Sequence, residues 1–563
     1  MLSSRKIRLP KRHAFSVIPP TRRAPDDPAL NSFVLAQDKW NDFGFQSQYQ
    51  LYVRSKTAAH DLIGSVKILK KGQTDSDTWQ LTKDFTELGP EFASLGQSLD
   101  YYQRLAELPP EARDRILGAL RDVVYRPEIE QQFLPEAGWK KSVMRDFEAD
   151  PHFRTLAQSF LSGNFSELAS LDQGFCFQVP GWLDAIQFRF SAPDVKQHGF
   201  GGLLWPSPAN ILPDRITVII GKNGSGKSTL LARIARVAHA SVKDRSSATL
   251  SELGQLKPPG VGFSRIVTLS YSAFDSFQIP GVNAREREQI ARDVRQGDGR
   301  FVFCGLRDIA AELAQELAQS PGEDSPTNAE GADRDRVRQT LLKPIEGLAA
   351  EFAATLSRIQ KLDRTNFFVL VLSRVLADSS FNDVRPTLEG QLFTDAAQAY
   401  LSLSTGHKIV IQVIANLTAY VQPRALILFD EPEMHLHPPL LAALMHAIRR
   451  ILQKWDALAV IATHSPVVLQ ETLAQNVFIV RREGGISAAS TPTLESFGEN
   501  VGTLTEFAFG LDSDSTDFHD ALRRIVSELP DLEAIEEIFK PHGLSMQARA
   551  YVMGLLSRHT PGS

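Results

Sequence analysis

The sequence predicts an α/β fold in which a parallel sheet binds its ligand at the ends of the strands. Three observations lead to this prediction. One apolar run breaks into a glycine-rich loop at 221–228, a second ends in Asp430 and Glu431, and a third leads to His464. Open α/β sheets bind ligands at the carboxyl ends of their strands. We therefore expect these three polar segments to meet at one edge of the sheet.

Composition places the chain among soluble globular proteins of about three domains. It has 563 residues, 43% of them apolar and 23% charged, and a net charge of −5. The acidic balance argues against a strongly basic nucleic-acid-binding protein but leaves a local basic groove open. No apolar run reaches the ~18 residues that span a membrane. Cys176 and Cys304 lie among apolar neighbours, so we favour buried thiols in a reducing, cytoplasmic compartment over a disulfide.

The first 155 residues are predicted to form an arm and a small α+β domain. Residues 1–30 are basic and proline-containing, which favours a flexible solvated arm. Residues 31–155 begin with two alternating segments that predict a β-hairpin. Helical spacing is then predicted from Phe92 and Leu95 onwards, and again after the helix-starting Pro110. This domain carries no recognisable chemistry and is expected to bind a partner.

The glycine-rich loop has the pattern of a phosphate-binding loop. It lies between a β-branched strand and a helix, and its glycines allow backbone N–H groups to surround phosphate oxygens. Lys227 can reach the β- and γ-phosphates, and Ser228 can ligate Mg²⁺. The predicted nucleotide-binding residues are Gly221, Lys222, Asn223, Gly224, Ser225, Gly226, Lys227, Ser228 and Thr229.

The nucleotide-binding domain is predicted in two parts that flank a helical lobe. The parts are 156–279 and 401–490, and the lobe is 280–400 with a solvated loop at 320–333. Residues 491–563 are expected to form a helical tail.

The acids after the second strand complete the predicted site. Asp430 is expected to hold Mg²⁺ together with Ser228, and Glu431 to orient and deprotonate the attacking water. His464 is expected to hydrogen-bond the γ-phosphate. The alternatives are that Asp430 and Glu431 are surface acids and that His464 is a structural histidine.

Two further segments carry polar residues that could bind an anion or a metal. Ser404, Thr405, Gly406 and His407 stand at the start of a long apolar helix, where a serine-glycine turn favours an anion. His435 and His437 could form a metal pair, but a third ligand is missing, so a loop lining a dimer interface explains 434–438 better.

These motifs, in this order, resemble the ABC-type ATPase superfamily. The pieces are the phosphate loop, LSTGHK, LILFDEPE and ATHSP, and LSTGHK with DEPEMHLHP is similar to the soluble SMC/RecF/OLD-like branch. The resemblance implies a head-to-tail dimer around ATP and Mg²⁺, in which Ser404, Thr405, Gly406 and His407 of one subunit face the γ-phosphate held by the other. The family's glutamine should fall near Ser272. Gln278 is too late, so that role is assigned to no residue.

A closer resemblance is to the PtuA-type ATPases of Septu and retron-associated anti-phage systems. It rests on the architecture and on SFGENVGTLTEFAFG at 496–510. It implies a separate HNH-type nuclease partner. The acidic pair at 512 and 514 lies in a polar turn and is read as a loop, not as a nuclease site. The alternatives are a DNA-binding repair ATPase of the SMC/RecF type and, less favoured, the ATPase subunit of a transporter.

Overall fold

The structure is a computed structural model that places two compact units, Met1–Phe497 and Gly498–Ser563. It describes residues 14–20, 30–39, 43–54, 60–145, 147, 152–164, 174–190, 212–281, 284–297, 299–319, 335–337, 339–483, 486–509, 517–529 and 531–559. The predicted solvated loop at 320–333, the acidic turn at 512–514 and most of the predicted arm lie outside these residues. The predicted fold class is confirmed, because a parallel central sheet with helices follows a smaller α+β region.

The first sheet has five strands in the order β1-β2-β3-β4-β5. They are β1 Phe15–Ile18, β2 Phe33–Gln37, β3 Gln48–Arg54, β4 His60–Lys70 and β5 Phe92–Gly96. β3 and β4 pair antiparallel, as the alternating segments predict. The structure departs from the predicted arm at β1, which pairs with β2 in parallel. Its Phe15 is fully buried and stacks on Phe85, so this short apolar segment belongs to the core.

The helices of this region cover one side of the sheet. They are α1 Leu99–Ala106, α2 Pro110–Ala119 and α3 Phe153–Ser162. The prediction of a helix from Phe92 is wrong, since this segment is β5. Every residue of β5 is buried, so its apolar residues recur without the strict alternation of a half-exposed strand. The helix begins after Ser98, whose hydroxyl accepts the Tyr101 N–H.

Two further sheets build the middle of the chain. The small antiparallel sheet, in the order β7-β6-β9, contains β6 Phe175–Gln178, β7 Ile186–Phe188 and β9 Gln255–Lys257. The central sheet has the order β11-β10-β12-β13-β8-β14-β15 and is parallel except at β15. Its strands are β8 Ile216–Ile220, β10 Ile266–Ser270, β11 Phe301–Gly305, β12 Leu426–Asp430, β13 Leu458–Thr463, β14 Val477–Glu483 and β15 Ile486–Ser490.

The register of the central sheet brings the strand ends together. Ser270 at the end of β10 pairs with Asp430 at the end of β12, and Asp430 pairs with Ala462 of β13. β8, which leads into the phosphate loop, is the next strand beside β13. The residues that follow these strands therefore share one edge, as the sequence predicts.

Helices surround the central sheet and form the lobe. They are α4 Lys227–His239, α5 Val242–Arg245, α6 Ala248–Ser251, α7 Ala284–Gln296, α8 Ile309–Gln319, α9 Ile345–Lys361, α10 Thr365–Val375, α11 Arg385–Gln391, α12 Ala396–Leu401, α13 Thr405–Tyr420, α14 Pro438–Trp455 and α15 Pro466–Gln470. Within the predicted lobe 280–400, β11 joins the central sheet, and the helices α9–α12 follow it.

The second unit is helical in its described residues. Its helices are α16 Val501–Phe509, α17 Asp517–Glu528, α18 Leu532–Ile538 and α19 Met546–His559. Leu522, Val526, Ile535 and Val552 form its small apolar core. In the described ranges of both units, no helix combines the length and apolarity needed to cross a membrane.

Candidate nucleotide-binding site

The phosphate loop turns at residues that require glycine. Gly224 and Gly226 have φ angles of 79° and 98°, a region in which other residues are strained. Gly221 is needed for space, because a Cβ there would lie 2.3 Å from the Val480 carbonyl oxygen. α4 begins directly after Gly226, so the positive end of its dipole lies at the loop.

Lys227 occupies the interior of this loop. Its side chain is buried, and Nζ donates hydrogen bonds to the carbonyl oxygens of Gly221 at 2.8 Å and Lys222 at 3.3 Å. Burial lowers the pKa of Lys227, while Glu431, Asp430 and other nearby carboxylates oppose that shift. Among the described residues, the amine has two carbonyl oxygens as its hydrogen-bond partners, and a phosphate oxygen would be a stronger one.

Ser228 and Asp430 form a direct link between α4 and β12. The Ser228 hydroxyl donates a 3.0 Å hydrogen bond to Asp430 Oδ1. Burial and, to a smaller extent, the negative charges of Glu431 and Asp275 raise the pKa of Asp430 to about 7. A hydroxyl and a carboxylate are hard oxygen ligands, and a cation would relieve the cost of ionising Asp430 here. The donor set therefore fits the Mg²⁺ that the fold implies.

Glu431 and His464 lie close together at the same edge. His464 Nδ1 is 3.7 Å from Glu431 Oε1 and 3.4 Å from Glu433 Oε1. Glu431 has a φ of 50°, which is uncommon for a residue with a side chain, and its N–H donates to the Ala462 carbonyl. Glu433 also accepts the His464 backbone N–H at 2.7 Å. Sequence reasoning missed this orienting role, although the repeated acid in DEPE is its signal.

The residues 404–407, which are predicted to face the nucleotide of a second subunit, contact other parts of their own chain in the structure. Ser404 caps α13 by accepting the His407 N–H, and the His407 ring stacks on Phe381. A Cβ on Gly406 would lie 2.6 Å from the His435 carbonyl oxygen. Both this segment and the phosphate loop are fully described, and no hydrogen bond joins them within the chain. Their predicted meeting around ATP therefore remains a prediction about two copies.

The described residues do not support the metal pair at His435 and His437. No group of three or more histidine, cysteine or acidic side chains that could hold a metal occurs among them. His437 caps α14 through its Nδ1 and lies 3.8 Å from Asp378. The 434–438 loop thus contacts the segment that joins α10 to α11.

Residues 216–470 match the family described as "AAA domain, putative AbiEii toxin, Type IV TA system". The match begins at β8 and ends at α15, so it spans every residue of the strand-edge site. This segment is therefore similar to AAA domains over its whole length. A curated relative, Protein ea59 of Escherichia phage lambda, is 29% identical over 546 residues, which cover 94% of this chain and 96% of that protein.

Three solved structures are among those similar to the chain. The ADP-bound ATP-binding cassette of an ABC transporter is 13% identical, with 59% of this chain and 93% of that chain covered and a TM-score of 0.25. An SMC head bound to the winged-helix domain of ScpA is 13% identical, with 57% and 97% covered and a TM-score of 0.26. UvrA2 of Deinococcus radiodurans is 16% identical, with 59% and 40% covered and a TM-score of 0.25. Scores this low carry no argument about geometry.

The matched segment 216–470 also holds a cavity that the sequence did not predict. It lies between α4 and the central sheet, with Ser228 and Asp430 at its polar end and Leu231, Phe301 and Phe303 among its apolar lining. Gln278 also lines it, but its backbone N–H bonds the Asp335 carbonyl and its side-chain amide is directed at the Arg336 carbonyl. We therefore do not assign the role of the family's glutamine to Gln278.

Proposed function

We propose that the chain binds ATP with Mg²⁺ at the strand edge of the ATPase domain and hydrolyses it. The observation that carries the proposal is the hydrogen bond between Ser228 of the phosphate loop and Asp430 of β12, beside the buried amine of Lys227. A hydroxyl, a carboxylate and an amine thus lie together beside the N-terminus of α4, which supports binding of a cation and a phosphate there.

The proposed mechanism assigns one task to each side chain. Lys227 exchanges its two carbonyl partners for phosphate oxygens. Ser228 and Asp430 hold Mg²⁺, which neutralises charge on the phosphates when bound. Glu431 accepts the proton of the attacking water, and His464, held by Glu433 on its backbone, donates to the γ-phosphate.

The proposed active state contains two chains. Ser404, Thr405, Gly406 and His407 of one chain then face the nucleotide held by the other. The support within one chain is the N-terminus of α13, a 16-residue helix with a serine cap, which is favourable for an anion.

Glu431→Gln tests this function. The amide keeps the shape of the side chain but cannot accept the proton, so hydrolysis is expected to fall by about 10²-fold or more while ATP binding is retained. Light scattering with ATP and Mg²⁺ should then show a stable dimer. Full turnover by the variant would remove Glu431 from the mechanism, and a persistent monomer would contradict the two-chain site.

The finer proposal is that this ATPase controls a separate HNH-type nuclease in an anti-phage defence complex. It is supported by the motif resemblance to PtuA-type ATPases. Co-purification with the products of neighbouring genes tests it: an HNH protein retained on the tagged chain and released after ATP turnover is the expected result. Efficient phage restriction by the chain alone would contradict a separate effector.

A further inference from the structure

Two side chains in the cavity beside Ser228 and Asp430 have no part in the mechanism so far. They are Ser270, the last residue of β10, and Asp275, which follows a short turn after that strand. Both line the cavity together with Ser228 and Asp430, and the sequence motifs predicted neither of them.

Ser270 is a buried hydroxyl without a partner. It is only 3% exposed, it pairs in register with Asp430, and its Oγ makes no hydrogen bond within the described part of the chain. Leaving a buried hydroxyl unsatisfied costs about 1–3 kcal/mol. A ligand in the cavity that hydrogen-bonds to the Ser270 hydroxyl, or is coordinated by it, would remove this cost.

Asp275 is a carboxylate with one oxygen engaged. Oδ1 accepts hydrogen bonds from the Phe277 N–H at 3.0 Å and from Arg307 Nη1 at 3.2 Å. No hydrogen bond to its Oδ2 occurs among the described residues. Because Asp275 is only 8% exposed yet lines the cavity, its second oxygen is available there.

The charge balance around Asp275 is negative. Arg307 is almost fully buried and also forms a two-bond pair with Glu312, at 3.1 and 2.6 Å. One guanidinium thus serves two carboxylates, and Asp430, whose nearby cation is Lys227, lines the same cavity as Asp275. Buried carboxylates in excess are costly unless a cation accompanies them.

We propose that Ser270 and Asp275 complete the cation site that Ser228 and Asp430 begin. This inference rests on the proposed function and extends it to two new residues. Together the four side chains offer two hydroxyls and two carboxylates, which are the ligands Mg²⁺ takes directly or through the waters it retains. Arg307 and Glu312 act as positioning residues that fix Asp275. Glu312 also accepts the Leu341 N–H, so the same pair fixes Asp275 to the segment before α9.

Manganese binding tests the proposal without measuring turnover. Mn²⁺ is titrated into the full chain with ADP, and free Mn²⁺ is read from its electron paramagnetic resonance signal against ADP alone. Asp275→Asn and Ser270→Ala are each expected to weaken Mn²⁺ binding by about 10-fold, a typical effect of losing an outer oxygen partner of a metal. Binding of ADP in EDTA should be unchanged.

Matched variants separate this effect from misfolding. Asp293→Asn is the control for Asp275→Asn, since Asp293 is equally buried and paired with an arginine but does not line the cavity. Ser270→Ala removes only an unpartnered hydroxyl, so its thermal stability should be retained or raised. A residue whose variant keeps wild-type Mn²⁺ affinity is excluded from the site. If the wild type takes up no Mn²⁺ beyond ADP alone, the proposed function fails with the inference.

Discussion

Two buried groups of ion pairs in the first unit differ in how their charges are balanced. The α1 cluster comprises Asp100, Arg104, Asp293 and Arg300, and it joins α1 to the segment 216–470. Arg300 pairs with Asp100 at 2.9 Å, and Arg104 pairs with Asp293 at 2.9 Å. The cavity cluster comprises Asp275, Arg307 and Glu312, and it has two acids for one base.

The comparison separates a structural role from a ligand-binding one. In the α1 cluster each acid has its own guanidinium, so the charges are balanced within the protein. The cavity cluster is negative and shares its cavity with Asp430 and Ser228. Breaking the balanced cluster should therefore cost stability, whereas changes on the cavity side should act on nucleotide and cation binding.

The largest effect is expected for Lys227→Ala. Loss of the amine should reduce ATP hydrolysis by about 10³-fold, because a preorganised donor is removed from the phosphates. Urea denaturation should change little, since the partners of Nζ in the described part of the chain are carbonyl oxygens of its own loop. Normal turnover would refute the phosphate-loop assignment, and a large loss of stability would place Lys227 with the structural residues.

Asp100→Asn should produce the opposite pattern. It leaves Arg300 buried without its carboxylate, so the free energy of unfolding should fall by about 3 kcal/mol while the affinity for ATP is retained. Burial raises the pKa of Asp100, but Arg300 and His239 outweigh it and hold the pKa below its usual range. An acid whose pKa is lowered by folding stabilises the folded protein at every pH above its pKa in the unfolded chain, which is about 4. The stability difference between the wild type and Asp100→Asn should therefore persist from pH 5 to 8.

Denaturation of both forms across that range provides the measurement. The surface acid Glu389, which pairs with Arg385 on an exposed helix face, offers the control Glu389→Gln with an expected change below about 0.5 kcal/mol. Equal stability of Asp100→Asn and the wild type would show that the α1 cluster is not structural.

The sequence predicted the site residues at the edge of the central sheet, but it did not predict the residues of these two clusters. Lys227, Ser228, Asp430, Glu431 and His464 occupy short motifs attached to strand ends, and the parallel register brings them together. Asp275 and Arg307 meet only because β10 and β11 are neighbours. No local pattern encodes that pairing. Likewise, β5 was mistaken for a helix because burial on both faces erased the alternation that marks a strand.

The pH dependence of cation binding tests the cavity cluster, in which acids outnumber bases. Burial, Glu431 and Asp275 raise the pKa of Asp430 to about 7, so the cation must displace a proton below that pH. Mn²⁺ affinity in the ADP complex should fall by up to about 10-fold per pH unit below about 7. Folding stability of the cation-free protein should change in the opposite direction from Mn²⁺ affinity. A raised pKa of a buried acid lowers stability as pH rises from about 4 through about 7. Affinity that is flat from pH 5.5 to 7.5 would contradict a protonated Asp430.

Asp275→Asn sharpens this measurement. Removing its negative charge should move the midpoint of the pH profile downwards, because Asp275 is one of the charges that raises the Asp430 pKa. The balanced control Asp293→Asn should leave the midpoint in place. A shift of equal size in both variants would assign it to general destabilisation rather than to the shared cavity.

The smallest effect is expected where no charge is involved. Gly406→Ala places a Cβ 2.6 Å from the His435 carbonyl oxygen, so the gain in helix propensity should be outweighed and stability should fall by about 1 kcal/mol. Gly390→Ala is the matched control: it lies in α11 with open space around the added Cβ, and stability should rise by about 0.5–1 kcal/mol. Thermal unfolding measures both changes. ATP-dependent dimerisation should weaken only in Gly406→Ala, because only that glycine stands at the proposed contact. Dimerisation unaffected by a destabilising Gly406→Ala would assign the glycine to packing against the 434–438 loop alone.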